Sequence, residues 1–377
     1  MKMEKQEENS MSLEKGDEGF MKWQEEDLAT RLPHVMQARK EAGLDGLVGD
    51  LEAVVINTER ERLESAVAEL LAFTGLTIDE QFSTPLVRAY TLRTPGSPAV
   101  IVKSRLAGEN PFLPFNQAER ARNLPSTRLE TFIFGCRDID TYWEIQRERS
   151  VRFQTDGIIT GPDFRFIQTV PSPYTGNSLG FIEWTGRGRS FAPDGAEKRP
   201  ATLEKPGFSY LANIGKLDHT ATRVRAKERN AAILEFLSLT SYHFDFAVFV
   251  KSLNSITSVA RLNDDAFAMV FTSGIAPYRE GEDPGPTENF IHGYGTRVHH
   301  MAFSTDDIDT VFAELVSHGM EFLVALVGSR EEGLKQTFSM PSPHTMIVNE
   351  YIHRYEGFDG FFTRSNVEEL TRATGRQ

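Results

Sequence analysis

Only one cysteine, Cys136, occurs among 377 residues, which excludes a disulfide framework and a thiolate-rich metal site. No apolar run approaches the roughly 20 residues of a membrane-spanning helix. The N-terminus also lacks the apolar core of a signal peptide, so a cytoplasmic location is expected. Positive charge is in deficit. A formal net charge of -13 argues against nucleic acid and anionic membrane surfaces as partners, while leaving room for an anionic small molecule that meets local charge. The glycines form no G-x-G-x-x-G fingerprint and no Walker A loop. What is present is ordinary for a globular protein, 40% hydrophobic and 25% charged, and long enough for two domains with substantial cores.

The polar stretch 1–18, MKMEKQEENSMSLEKGDE, is expected to be a disordered tail. A helical extension interrupted at Pro33 is expected over 19–47. Beyond it the chain repeats itself. TRLETFIFGCRDIDTYWEI at 127–145 matches TRVHHMAFSTDDIDTVFAEL at 296–315, each a β-rich run followed by DIDT opening a helix. QTVPSPYTGNSLGFIEW at 168–184 matches QTFSMPSPHTMIVNEYI at 336–352, with two extra residues before the shared PSP-x-T. A third match, at constant offset, pairs 51–76 with 217–242. The fold class is therefore α+β: four modules of a strand, a helix and several strands, in two halves. The first half is assigned to 48–190, a linker to 191–211, and the second half, with a C-terminal helix, to 212–377.

The two halves differ where it matters. Ala53 in the first corresponds to His219 in the second, Thr131 to His300, and Gly180 to Glu350. Strand period two places Glu350 on one face with Val348 and Ile352, where an isolated buried carboxylate is too costly unless paired, protonated or bound to a metal. Two imidazoles and one carboxylate are the set that non-haem iron uses to keep adjacent positions open, whereas structural zinc closes its fourth position and often takes cysteine. Period two and the repeat favour His300 over His299 as the inward ring. The remaining histidines read as structural.

LDHTATRV at 217–224, VHHMAFSTDDI at 298–308, and QTFSMP with NEYIHRYEGFDGFF ending at 362 resemble 4-hydroxyphenylpyruvate dioxygenase and its relatives in the vicinal oxygen chelate superfamily. The resemblance implies four βαβββ modules paired into two domains with open barrel-like mixed sheets, the first domain metal-free and the second catalytic. It implies Fe(2+) held by His219, His300 and Glu350. Gln336 matches a glutamine near the metal, Phe338 and Phe362 match aromatics that pack on the substrate ring, and Ser258 in ITSV matches a substrate-pocket serine. Where the family reads S-Q-I this chain has 287-TEN-289, which puts Glu288 in place of a substrate-facing glutamine. FTSG at 271–274 replaces N-E-P, and the segment 320–338 is shorter than usual.

The activity so implied is an Fe(II)-dependent dioxygenase that oxidatively decarboxylates and hydroxylates an aromatic or bulky 2-oxo acid with O2, without separate 2-oxoglutarate. A homo-oligomer, dimer or tetramer, is expected. Three alternatives stand beside it: an extradiol ring-cleaving catechol dioxygenase, a non-redox metal-dependent isomerase or lyase, and a non-catalytic ligand-binding protein. Arg297 and Arg354 are possible partners of a substrate carboxylate, and each reads equally well as an ion-pair residue.

Overall fold

The computed structural model describes residues 15–377. After α1 (Lys15–Glu41), the first module comprises β1 (Val48–Asn57), α2 (Leu63–Phe73), β2 (Thr77–Ser83), β3 (Val87–Arg93) and β4 (Ala99–Arg105). The second comprises β5 (Arg128–Cys136), α3 (Ile139–Glu148), β6 (Ile159–Thr160), β7 (Phe164–Gln168) and β8 (Ser178–Trp184). A short strand, β9 (Glu197–Arg199), leads to the third module of β10 (Ile214–Arg223), α4 (Arg229–Leu239), β11 (His243–Val250), β12 (Ser255–Arg261) and β13 (Ala268–Ser273). A connecting helix, α5 (Gly285–Tyr294), precedes the fourth, of β14 (Arg297–Thr305), α6 (Ile308–Ser317), β15 (Val327–Ser329), β16 (Leu334–Phe338) and β17 (Val348–Arg354). A last helix, α7 (Arg364–Ala373), follows.

The two sheets have the same topology. The second runs β11-β12-β13-β10-β14-β17-β16-β15; the first runs β2-β3-β4-β1-β5-β8-β7-β6 with β9 added beside β2. Both are mixed: within each module the first and last strands pair in parallel, and the two modules of a half meet through an antiparallel pair. The second sheet curls, because α7 touches both its outer strand β11 and the opposite edge β15–β16. Local chemistry explains the helix starts. In both DIDT motifs the first aspartate caps the helix: Asp138 accepts from the Thr141 N–H at 3.0 Å, and Asp307 from the Thr310 N–H at 3.2 Å. The helices pack their apolar faces on the sheets, and residues of both halves share one core that includes Leu70, Phe132, Phe236 and Phe271. No helix among the described residues is long and apolar enough to cross a membrane.

Three boundaries differ from the sequence reading. Residues 1–14 of the expected tail lie outside the described residues, while Asp17 and Glu18 belong to the first turn of α1. There Asp17 is buried and pairs with Arg279 at 2.5 Å. Pro33 lies inside α1 rather than ending it, because tertiary contacts hold the helix on both sides. Arg229 pairs with Glu25 at 2.5 Å, and Arg39 donates to the carbonyls of Leu237, Thr240 and Tyr242 at the end of α4. The expected linker carries β9, which pairs with β2, while Phe191 and Ala192 pack inside the first sheet.

The halves grip each other reciprocally. Ser172 of the first PSP turn donates to Glu235 on α4, and Ser342 of the second donates to Glu69 on α2. Arg128 donates to the Thr296 carbonyl at 3.2 Å, and Arg297 to the Thr127 carbonyl at 2.7 Å. Burial pushes both glutamate carboxyls up, and their serine partners oppose that shift.

Candidate metal centre

Adjacent strands aim the candidate ligands at one point. His219 lies on β10, His300 on β14 and Glu350 on β17, which are neighbours in the sheet. His219 stands opposite Ala302, His300 opposite Ala221, and Glu350 beside Ala302. Ala53, Thr131 and Gly180 occupy the same register positions in the first sheet, opposite Ile133, opposite Val55 and beside Ile133 respectively. A Cβ at Gly180 would come within 2.7 Å of the Phe166 ring. The first half thus fills with aromatic carbon the space that the second gives to a carboxylate.

One ligand atom from each of His219, His300 and Glu350 lies within 4.8 Å of the others. His219 Nε2 is 3.0 Å and His300 Nε2 3.3 Å from the same Glu350 oxygen, Oε2. All three residues are buried, Glu350 to 1% exposure. His219 Nε2 makes no hydrogen bond despite that short distance, since its direction is wrong for one. Two imidazole nitrogens and a carboxylate oxygen converge in a buried site, and this donor set fits a divalent metal with open adjacent positions.

Two β-bulges build the surrounding layer. The ladder slips between Leu217 and His219, making Asp218 the extra residue and bringing it to the side of its neighbour. Its Oδ2 accepts from His219 Nδ1 at 2.7 Å, and its two oxygens accept from Arg354 at 2.6 and 3.0 Å. Burial works to raise the Asp218 carboxyl, but Arg354 and His219 outweigh it and hold it well below the usual carboxylate range. Burial likewise opposes charge on His219, yet Glu350 and Asp218 push its pKa up to about 9. The second slip, between Ala221 and Thr222, adds His299. His299 Nδ1 meets His300 Nδ1 at 2.8 Å, and its Nε2 lies 2.9 Å from Gln377 Oε1. Burial, reinforced by neighbouring positive groups, pushes both rings well below the ordinary histidine range, so they are neutral.

Gln336 is also at the centre. Its Nε2 donates to Glu350 Oε1 at 2.5 Å, and its Oε1 accepts from Asn366 Nδ2 at 3.0 Å. Both ends of the amide are engaged, so Gln336 orients the carboxylate. α7 can approach this closely because Gly328, at φ +82°, has no Cβ; one would fall 2.7 Å from the Asn366 amide. Phe338 packs 4.7 Å from the His300 ring, and Phe361 and Phe362 meet His219 edge-on at 5.4 and 5.1 Å between centroids.

Two residues singled out in the sequence do not join the centre. Ser258 pairs across to Phe271, which faces the helices, and accepts from Arg229 Nε at 3.0 Å. The inward residue beside it is Val259. Glu288 is buried on α5, where its carboxylate accepts from the backbone N–H groups of Ala226, Gly274 and Tyr278 at 2.9, 3.1 and 3.2 Å. It ties loops together rather than facing a ligand. Arg354 is committed to Asp218, and Arg297 to the junction of the halves. Sequence reasoning missed Asp218, Asn366 and Phe361 altogether, and left His299 on the wrong face. Only the adjacency of Asp218 to His219 was a signal.

Among solved structures, a triple mutant of 4-hydroxymandelate synthase from Streptomyces coelicolor superposes with a TM-score of 0.65 at 16% identity, covering 87% of this chain and 98% of that one. The chain has the vicinal oxygen chelate fold. A second structure with this vicinal oxygen chelate arrangement is a xylose isomerase-like TIM barrel/4-hydroxyphenylpyruvate dioxygenase fusion protein, with a TM-score of 0.55 at 15% identity, covering 88% of this chain and 53% of that one. No protein-family model matches the chain, and no curated protein matches its sequence. In vicinal oxygen chelate terms, the second domain carries the ligand cluster, and the first carries its register equivalents with none of the three ligands.

Proposed function

We propose that this protein is a non-haem Fe(II) dioxygenase of the 4-hydroxyphenylpyruvate dioxygenase type, acting on one aromatic or bulky 2-oxo acid with O2. The observation that carries this reading is the convergence of His219, His300 and Glu350 within 4.8 Å in a buried site. His219, His300 and Glu350 would hold the ion. A ferrous ion there supplies the redox couple for dioxygen chemistry and open positions for a chelating 2-oxo acid. Asp218 accepts the His219 Nδ1 proton and so leaves Nε2 free to ligate. Gln336, held by Asn366, fixes the Glu350 carboxylate. Phe338, Phe361 and Phe362 exclude water and offer ring edges to an apolar substrate body.

The test is anaerobic loading with Fe(II), followed by screening of aromatic and branched 2-oxo acids for coupled O2 uptake and CO2 release. Equal uptake and release, lost in His300→Ala, is the expected result. Cleavage of a catechol without CO2 would replace this reading with the extradiol one. Turnover without O2 uptake would replace it with a non-redox one, and ligand binding without turnover with a binding protein.

A further inference from the structure

The inner face of the second sheet changes character with distance from the ligands. Register sets Ala221, Val270 and Val259 side by side on β10, β13 and β12, an apolar row covered by Phe361 and Phe362. Two residues further along, period two places Arg223, Thr272 and Thr257 on that same face, again side by side. Arg223 is buried at 4% exposure, and its guanidinium lies 4.5 Å from the centre of the Phe290 ring. Its acceptors are neutral, the Thr374 hydroxyl at 2.8 Å and the Pro286 carbonyl at 3.3 Å. Among the described residues no carboxylate pairs with it, and burial holds the guanidinium down to about 9. Among the described residues the buried Thr272 hydroxyl has no hydrogen-bond partner. The equivalent place in the ligand-free domain, opposite Arg128, holds the neutral Asn57.

An interior cation with only neutral acceptors, beside an unpartnered hydroxyl, is a site prepared for an anion. We propose that Arg223, with Thr272 and Thr257, receives an anionic group at the distal end of the substrate. On the dioxygenase reading above, which this inference rests on, the substrate is then a 2-oxo acid with a second carboxylate. Arg223 lies four residues along β10 from His219, about 13 Å at ~3.3 Å per residue. The apolar row and the two phenylalanines lie in between, where the ring would sit.

Two probes of the same shape decide the matter: phenylpyruvate and 4-carboxyphenylpyruvate, titrated anaerobically into the Fe(II)-loaded protein and followed by calorimetry and by the visible spectrum. The native protein is expected to bind the dicarboxylate about tenfold or more tightly than the monocarboxylate. Arg223→Gln should cut that preference to about twofold or less, and Arg223→Lys should keep most of it. Thr272→Val, at a hydroxyl with no partner to lose, should weaken it several-fold in a normally folded protein. Equal binding of the two acids by the native protein, or a preference that survives Arg223→Gln and Thr272→Val, overturns the proposal while leaving the dioxygenase reading intact. If neither acid binds, both fall.

Discussion

Asp218→Asn isolates the layer behind the ligands. Asp218 gives His219 an anionic acceptor at 2.7 Å and takes both donors of Arg354. The substitution keeps the volume, removes the charge and turns an amide toward either the imidazole or the guanidinium. Loss of an outer-layer partner of this kind lowers metal affinity about 10–100-fold, or about 1.4–2.8 kcal/mol. Part of that loss is tautomeric, since without a committed acceptor at Nδ1 the His219 proton can move to Nε2, the atom needed for the metal. The assay is anaerobic competition for Fe(II) against a fluorescent chelator, with chelator-treated melting curves recorded in parallel to separate metal affinity from stability. Glu52 occupies the equivalent bulge of the ligand-free domain, where it pairs with Arg189 at 2.8 Å. Glu52→Gln is the control and should leave affinity untouched. An Asp218→Asn protein that holds Fe(II) within about twofold of the native value would refute the orienting role.

Four further outcomes are expected. In the metal-free protein His219 keeps its proton up to about pH 9. Metal must displace that proton, so apparent affinity should rise about tenfold per pH unit toward 9 and level off above it, whereas a flat profile from pH 6 to 8 would refute the competition. By the same shift, charged His219 stabilises the metal-free fold fully below about 6.5, its unfolded value, and loses this as pH rises through about 9. Ser342→Ala and Ser172→Ala should each cost about 1 kcal/mol in urea unfolding and add in the double variant, because each strips the partner from a different half-buried carboxyl. Ser258→Ala should lower stability by about 1 kcal/mol through Arg229 without changing KM, whereas a pocket serine would raise KM.

The candidate ligand cluster was legible because the chain carries its own control. Ala53, Thr131 and Gly180 sit at the register positions of His219, His300 and Glu350, so each ligand stood out against a scaffold spelled twice. The outer layer was hidden by geometry. Period two sends Asp218 and His299 to the helix face, and only the bulges, which leave no mark in spacing, turn them inward. Ser258 and Glu288 were placed by likeness to motifs that this chain spells differently. Ladder position decides Ser258, since its cross-strand partner Phe271 belongs to the helix-side core. Three backbone amides decide Glu288. Asn366 comes from beyond the repeat, so no internal comparison could flag it.

The reciprocal grip between the domains has a further consequence. Residue i of one half meeting residue j of the other, with j meeting i in return, is the signature of an isologous contact between identical subunits. Ser172–Glu235 with Ser342–Glu69, and Arg128–Thr296 with Arg297–Thr127, describe a homodimer written on one polypeptide. Joining two copies of a two-module unit end to end would produce an interface of this kind. The contact is reciprocal, whereas the candidate ligand cluster lies in the second half. The fusion is then a tether rather than a structural necessity. Cut between β9 and β10, the two fragments should assemble from separate chains into a complex that retains the metal centre, a result that co-purification of co-expressed halves reads directly.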